Sequence, residues 1–434
     1  MWFPSLRCYQ LITTRFLHLP TIDLGKSKVT PTLRGAILLA SSLEYRCFYS
    51  AARSASFGDA MSGSARSHLW RSKTYTGEYP VPIISPSDSR LSKEESVALH
   101  LAVSAAQIPS KVTPEHKSTA RSFYKGEDYQ QIATICAYTG WINAFSDAMG
   151  IDLDPGSYLW AKVQLRDSLW DGSRHAPFNY DPSQGHDQLR ERAQAEEYIP
   201  KHGISKARDI LKILKSMQGS NSSEAQWIRG FPAGHRLLNS WLHEQFGFKP
   251  SYVEVILNRD TKRTVCYLLW QVLLRASWDN LTGAHCQCEW SAASKALLWY
   301  AYAAHSGNTL VQAHAGYLAF RLKVPVSTIT MVGGNGYLGD RRMDAALEFF
   351  RESAQMTRDY SPSQSMRLFE VMKTPSGVVE LISLLGMCAL VHRLSVTLAP
   401  DPLRFEPEVA QFLTTDAGSA LLIDPSTPYL GLVK

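Results

Sequence analysis

Cysteine is scarce in this chain of 434 residues, and what there is forms no framework. Of seven cysteines, Cys8 and Cys47 lie near the N-terminus, and Cys136, Cys266, Cys286, Cys288 and Cys388 follow at irregular spacing. An odd remainder without paired CxxC elements excludes a disulfide-stapled scaffold and suits a reducing interior. Cys136, Cys266 and Cys388 are expected to be small core residues. A basic stripe interleaved with aromatics is also lacking, although the net charge is +6. Nucleic-acid binding is therefore not expected. The apolar run "GAILLA", Gly35–Ala40, is far shorter than the roughly 20 residues that cross a bilayer, and no membrane span is expected. β-like sequence is nearly absent, with "VPVSTITMV" (Val324–Val332) the one such run.

What the chain does have is helical pattern. "LSKEESVALHLAVSAAQ" opens with Ser92 and Glu95 at capping-box spacing. "VTPEHKSTARSFYKG" has Thr113 as cap, Pro114 at the first helical position and Gly126 as stop. "DYQQIATICAYTGWINAFSDAMG" carries an apolar stripe and ends at Gly150. "RTVCYLLWQVLLRASWD" and "CQCEWSAASKALLWYAYAAH" read as further strong helices. The expected fold class is all-α.

The N-terminal composition differs. Residues 1–55 carry Arg7, Arg15, Lys26, Lys28, Arg34, Arg46 and Arg53 against only Asp23 and Glu44. Acid-poor, Arg- and Ser-containing leaders are read by organelle import machinery. Residues 1–55 are therefore expected to be a transit peptide, mitochondrial first and plastid second. Residues 56–90, rich in Ser, Gly and Pro, read as an extended linker.

Helix order recurs late in the chain. Met343–Pro402 can be laid over Ser96–Pro155. Ala106-Gln107 then meets Ala354-Gln355, Thr113-Pro114 meets Ser361-Pro362, and Ile142–Gly150 meets Val391–Ala399. Both stretches close on Asp-Pro, at Asp154-Pro155 and Asp401-Pro402. An internal repeat of two helical units is the expectation. It divides the chain into a unit at 91–155, a linker with an amphipathic helix at 156–225, a second unit at 226–402 and a tail at 403–434.

"YTGWINAFSDAMGIDLDP" and "LTGAHCQCEW" together resemble the AhpD-like and carboxymuconolactone decarboxylase superfamily. The first is similar to that family's late helix, and the second to the entry of its active-site helix. The resemblance implies an all-α fold of two fused units, the first partial, with no counterpart of the Cys-bearing helix before Leu91. It also implies thiol peroxidase or decarboxylase-type chemistry. Peroxidase chemistry needs an activated thiolate, a resolving thiol one helical turn away and a proton-moving His. Anchored on Glu289-Trp290, the first Cys position is Cys286, the second falls on Glu289 and the His position on Ala293. Anchored on Cys288, those positions fall on Ser291 and Lys295. The relay is incomplete either way, and Cys286 and Cys288 diverge by about 200° if they lie on a helix.

Cys286, Cys288 and Glu289 are therefore the candidate catalytic residues, as a vestigial site. No cofactor is expected. No metal is expected either, since His285, Cys286 and Cys288 have no fourth convergent ligand. The glycines of "GGNGYLG" (Gly334, Gly336 and Gly339) lack the βαβ surroundings of a dinucleotide loop. The first expectation for function is a structural or assembly subunit of an organellar complex, with protein partners or as a homo-oligomer. The second is an active enzyme of the same superfamily, and a third is a small-molecule module with an apolar pocket near Trp290.

Overall fold

The computed structural model describes residues 27–61, 85–153, 235–274, 286–355, 362–372 and 374–421, the short stretches 161–162, 175–177 and 277–278, and residues 158, 165 and 170. The amphipathic helix expected within 204–217, His285, and residues 1–26 of the expected leader lie outside them.

The protein is all-α. The helices are α1 (Pro31–Glu44), α2 (Phe48–Met61), α3 (Lys93–Ala106), α4 (Pro114–Phe123), α5 (Glu127–Met149), α6 (His235–Phe246), α7 (Ser251–Glu254) and α8 (Arg259–Leu269). A π-turn at Trp270–Leu274 extends α8. There follow α9 (Ala292–His305), α10 (Thr309–Arg321), α11 (Val326–Gly333), α12 (Arg341–Ser353), α13 (Pro362–Val371), α14 (Pro375–Leu398), α15 (Pro407–Leu413) and α16 (Asp416–Ser419). The strands described are two-residue pieces, Ser277–Trp278 pairing antiparallel with Cys286–Gln287.

The capping signals act as read. Ser92 and Glu95 close a reciprocal box at the start of α3, and Thr113 caps α4 with Pro114 at its first position. The run Val324–Val332 is a correction: it is α11, not a strand. β-branched residues favour strands only where a pleated partner surface awaits them. Here Ile329 and Val332 are buried one turn apart on a helical face.

A second correction concerns the leader boundary. Residues 31–54 are built into the core. Leu33, Ala36, Ile37, Leu39, Cys47 and Ala51 are fully or almost fully buried. A leader cut away at residue 55 would take one helical hairpin out of the interior. Residues 56–61, expected as linker, continue α2. The tail also belongs to the fold up to Leu421, since Val409, Phe412 and Leu421 are buried.

The hairpin α1–α2 has a match in α9–α10. Both begin at a hydroxyl cap, Thr30 accepting from the Leu33 N–H and Ser291 from the Ser294 N–H. Each first helix has 14 residues, followed by a three-residue turn. Tyr45 N donates to Ser41 O as Ser306 N does to Tyr302 O. Arg46 N donates to Leu43 O as Gly307 N does to Ala304 O, and Cys47 N to Ser42 O as Asn308 N to Ala303 O. Arg46 and Gly307 both hold the left-handed conformation this turn requires, at φ 61° and 66°. A hairpin with the same cap, first-helix length and turn bonds as α9–α10 therefore precedes Leu91, where no such hairpin was expected.

The long helices α5 and α14 cross antiparallel at the centre. Tyr129 at the start of α5 donates from its hydroxyl to Thr397 O near the end of α14. At the crossing, a Cβ on Gly140 would sit 2.8 Å from Ala389 O, and one on Gly386 would sit 2.8 Å from the Trp141 ring. Among the described residues α14 is the one helix long and apolar enough to cross a membrane, and its apolar stretch is buried within the protein. Arg393 of α14 lies 4.9 Å over the ring of Tyr45, in the turn after α1.

Candidate functional site

The expected helix through the Cys pair is a third correction. Cys286 lies in the short extended pairing with Trp278, residues 288–291 are loop, and α9 starts only at Ala292. Ser291 is the cap, so the chain is non-helical before it. The 200° divergence on a helix therefore does not apply to Cys286 and Cys288.

Cys288 and Glu289 hang over the start of α14. Cys288 is half-buried and free. Burial pushes its thiol up to about 11; Lys295 pulls it down, and Glu380 pushes it up. Reactivity belongs to the thiolate, so this environment works against a nucleophile. Lys295 Nζ lies 2.6 Å from Glu380 Oε1, with both side chains almost wholly buried. The other oxygen, Glu380 Oε2, accepts from the Glu289 backbone N–H at 2.7 Å. Glu380 thus ties the loop to α14, and Lys295 neutralises it.

Glu289 is equally committed. Its Oε2 lies 2.6 Å from Arg342 Nη2, and its Oε1 accepts from the hydroxyls of Thr374 and Ser376 at the start of α14. A carboxylate at a helix N-terminus is favoured by the helix dipole. The approach is close: a Cβ on Gly377 would lie 2.6 Å from the Glu289 carboxylate. The Arg342 guanidinium also stacks 4.6 Å over the Trp290 ring.

The glycine loop between α11 and α12 is also filled from within. Leu338 N and Gly339 N donate to the Asp344 carboxylate, occupying amides that a phosphate would need. Arg351 Nη2 holds the carbonyls of Val332 and Gly336. His392 is a buried residue of α14 beside Asn308.

Comparison with family models, curated proteins and solved structures finds no match to this chain in any of the three.

The site has an echo that the sequence reading missed. Laying α1 on α9 and the end of α5 on the end of α14 puts Ser27 on Cys288, Arg34 on Lys295 and Gln131 on Glu380. In space these three also meet. With its amide oriented to face Arg34, Gln131 accepts from Arg34 Nη2 at 2.9 Å and donates to Ser27 Oγ at 3.0 Å. Ser27 Oγ donates in turn to Asp128 Oδ1 at 2.9 Å. A polar cleft of about 390 Å³ opens beside them, lined by Ser27, Asp128, Gln131, Thr134 and Thr261. The signal lay in the sequence: Thr30-Pro31 is a cap followed by a first-position proline. The Arg-rich, acid-poor composition around it is also that of a leader.

Proposed function

We propose that this chain is a mitochondrial AhpD-like protein made of two fused units, without peroxidase chemistry. It acts as a structural or assembly subunit of an organellar complex. One observation carries the reading: the same three positions are used in both halves with different chemistry. Cys288, Lys295 and Glu380 in one half are Ser27, Arg34 and Gln131 in the other. A cation and an acceptor join the first helix to the last in each half. The thiol and the carboxylate are dispensable to that arrangement, so its constant role is to hold helices together. Glu289, the other candidate acid–base group, is bound by Arg342 and by the hydroxyls of Thr374 and Ser376. Support for the address is the basic, acid-poor stretch before Ser27, with Arg7, Arg15 and Lys26 against Asp23.

The test is peroxide treatment of the purified chain, with trapping of sulfenic acid and mass spectrometry. Oxidation of Cys288 no faster than that of buried Cys136 is expected. Fast, selective trapping at Cys286 or Cys288, reversed by a dithiol, overturns the reading. Fractionation of mitochondria supplies the second arm. Migration with a large assembly supports a subunit, and migration as a small homo-oligomer counts against it.

A second reading, a thiol peroxidase or decarboxylase-type enzyme, draws on the hydrogen bonds of the Cys288 thiol with Glu380 and Lys295. In that case Glu380, not Glu289, is the group placed to take the thiol proton.

A further inference from the structure

The turn after α1, the end of α5 and residue 175 meet at a point that the reading above does not use. There Cys47 Sγ, an Asp147 carboxylate oxygen and a His175 ring nitrogen all lie within 4.8 Å of one another, and all three residues are buried. His175 Nδ1 lies 2.8 Å from Ile151 O. A carbonyl only accepts, so Nδ1 carries the hydrogen and donates. Nε2 lies 3.0 Å from Asp147 Oδ1, a hydrogen-bond distance at which one hydrogen is held between the two atoms. Loss of that hydrogen leaves a lone pair on Nε2 beside those of the carboxylate. Sulfur, oxygen and nitrogen donors thus converge in the interior within reach of one cation. The Nδ1–carbonyl bond is also what orients a metal-binding imidazole.

The matched turn in the second half shows that the hairpin itself does not demand these residues. Asn308 stands where Cys47 does, and its Nδ2 donates to Ser395 Oγ at 2.8 Å. It also lies 3.2 Å from His392 Nδ1. Amide hydrogen bonds are enough to close that copy. The first copy instead holds a thiol, a carboxylate and an imidazole.

We propose that Cys47, Asp147 and His175 form a binding site for a zinc-class divalent cation, with a water in the fourth position. A thiolate with an imidazole selects zinc-like ions over magnesium and calcium, which take oxygen donors. Tetrahedral zinc sets its ligand atoms roughly 3.3–3.8 Å apart. His175 Nε2 and Asp147 Oδ1 are 3.0 Å apart, and no pair of the three atoms is more than 4.8 Å apart, so small side-chain shifts reach that spacing. On binding, the Cys47 S–H bond breaks and the hydrogen held between His175 Nε2 and Asp147 Oδ1 is displaced; a sulfur–metal bond forms and both protons leave to solvent. Asp147 and His175 each give a lone pair, and nothing is oxidised or reduced. The ion ties residue 175 to the end of α5 and to the α1–α2 turn. It stabilises the folded chain by mass action.

The experiment uses the full chain, stripped with chelator and titrated with Co2+ alone. Expected are one bound cobalt per chain, a thiolate-to-cobalt absorption in the near ultraviolet, and loss of that absorption when Zn2+ is added. The thermal midpoint rises with zinc. Cys47→Ser abolishes the absorption, and Cys288→Ser keeps it. His175→Gln weakens cobalt binding by about tenfold or more. An absorption that survives Cys47→Ser in a variant of unchanged helical circular dichroism places the ion elsewhere and overturns the proposal. A folded wild-type chain that binds no cobalt overturns it too, and leaves Asp147 and His175 as a buried ion pair.

Discussion

Arg34 and Lys295 hold the same place in two hairpins of matching geometry. Each is the fourth residue of its helix, and each directs its charge at the last long helix of its half, toward Gln131 and Glu380 respectively. The pairs differ in kind. Arg34 faces a neutral amide near a polar cleft, while Lys295 faces a carboxylate in the interior.

That difference sets the cost of breaking each. Lys295→Met leaves Glu380 buried beside no cation and is expected to cost about 3–5 kcal/mol in urea unfolding. The double variant Lys295→Met with Glu380→Met is expected to recover most of the loss, because two desolvated charges leave together. A double variant no more stable than the single one refutes this account.

Cys288 is expected to be a slow thiol. With its ionisation near 11, against about 8.5 for an unperturbed cysteine, its thiolate fraction at neutral pH is lower by roughly 300-fold. Iodoacetamide labelling followed by mass spectrometry checks this, with the rate climbing through pH 9–11. The folded ionisation is raised above the unfolded one. The contribution to stability is therefore full below about pH 8.5 and is lost as pH rises toward 11. Labelling already maximal at pH 8 contradicts the assigned environment.

The crossing of α5 and α14 is expected to be unequally sensitive on its two sides. Gly140→Ala drives a methyl against the Ala389 backbone oxygen, which moves only if the helices separate. A loss of about 1–3 kcal/mol follows. Gly386→Ala meets the buried Trp141 ring, a side chain and not backbone, and is expected to cost less. Chemical denaturation of the two variants decides the order.

Glu406 is expected to control acid stability. Burial pushes its carboxyl up, but the His314 ring, 2.5 Å from Oε2, and the Ser251 N–H on Oε1 outweigh that and hold it below the usual range. The folded value lies below the unfolded one. The contribution is present above about pH 4.3 and is lost as pH falls further. Glu406→Gln is expected to flatten the acid limb of the stability profile. An unchanged acid midpoint in that variant shows that other groups set it.

Local chemistry made much of the fold legible. Ser92 with Glu95, and Thr113 with Pro114, announced α3 and α4 because capping depends on residues next to one another in the chain. Tertiary context hid the rest. Val326–Gly333 is helical against its β-branched content because its apolar face meets the core. α1 was masked by Arg34 and Arg46, which read as leader charge. One of these is a buried partner of Gln131, and the other supplies the left-handed turn residue. At the candidate site, the sequence pattern ran the helix through Cys288 and Glu289, whereas the cap at Ser291 leaves both in the loop before α9. The pattern could not show that Arg342 and Glu380, far along the chain, would occupy their polar neighbours.

In the proposed two-unit reading, the antiparallel crossing of α5 and α14 joins two look-alike halves within one polypeptide. In a symmetric homodimer each substitution is made twice, once on either side of the axis, and both copies must tolerate it. A single chain is free of that constraint. One side may keep a thiol beside a lysine while the other becomes serine beside arginine, and a sulfur, oxygen and nitrogen cluster can arise at one turn while its twin settles for an asparagine. Asymmetry of this kind is open to a fused pair and closed to two identical subunits.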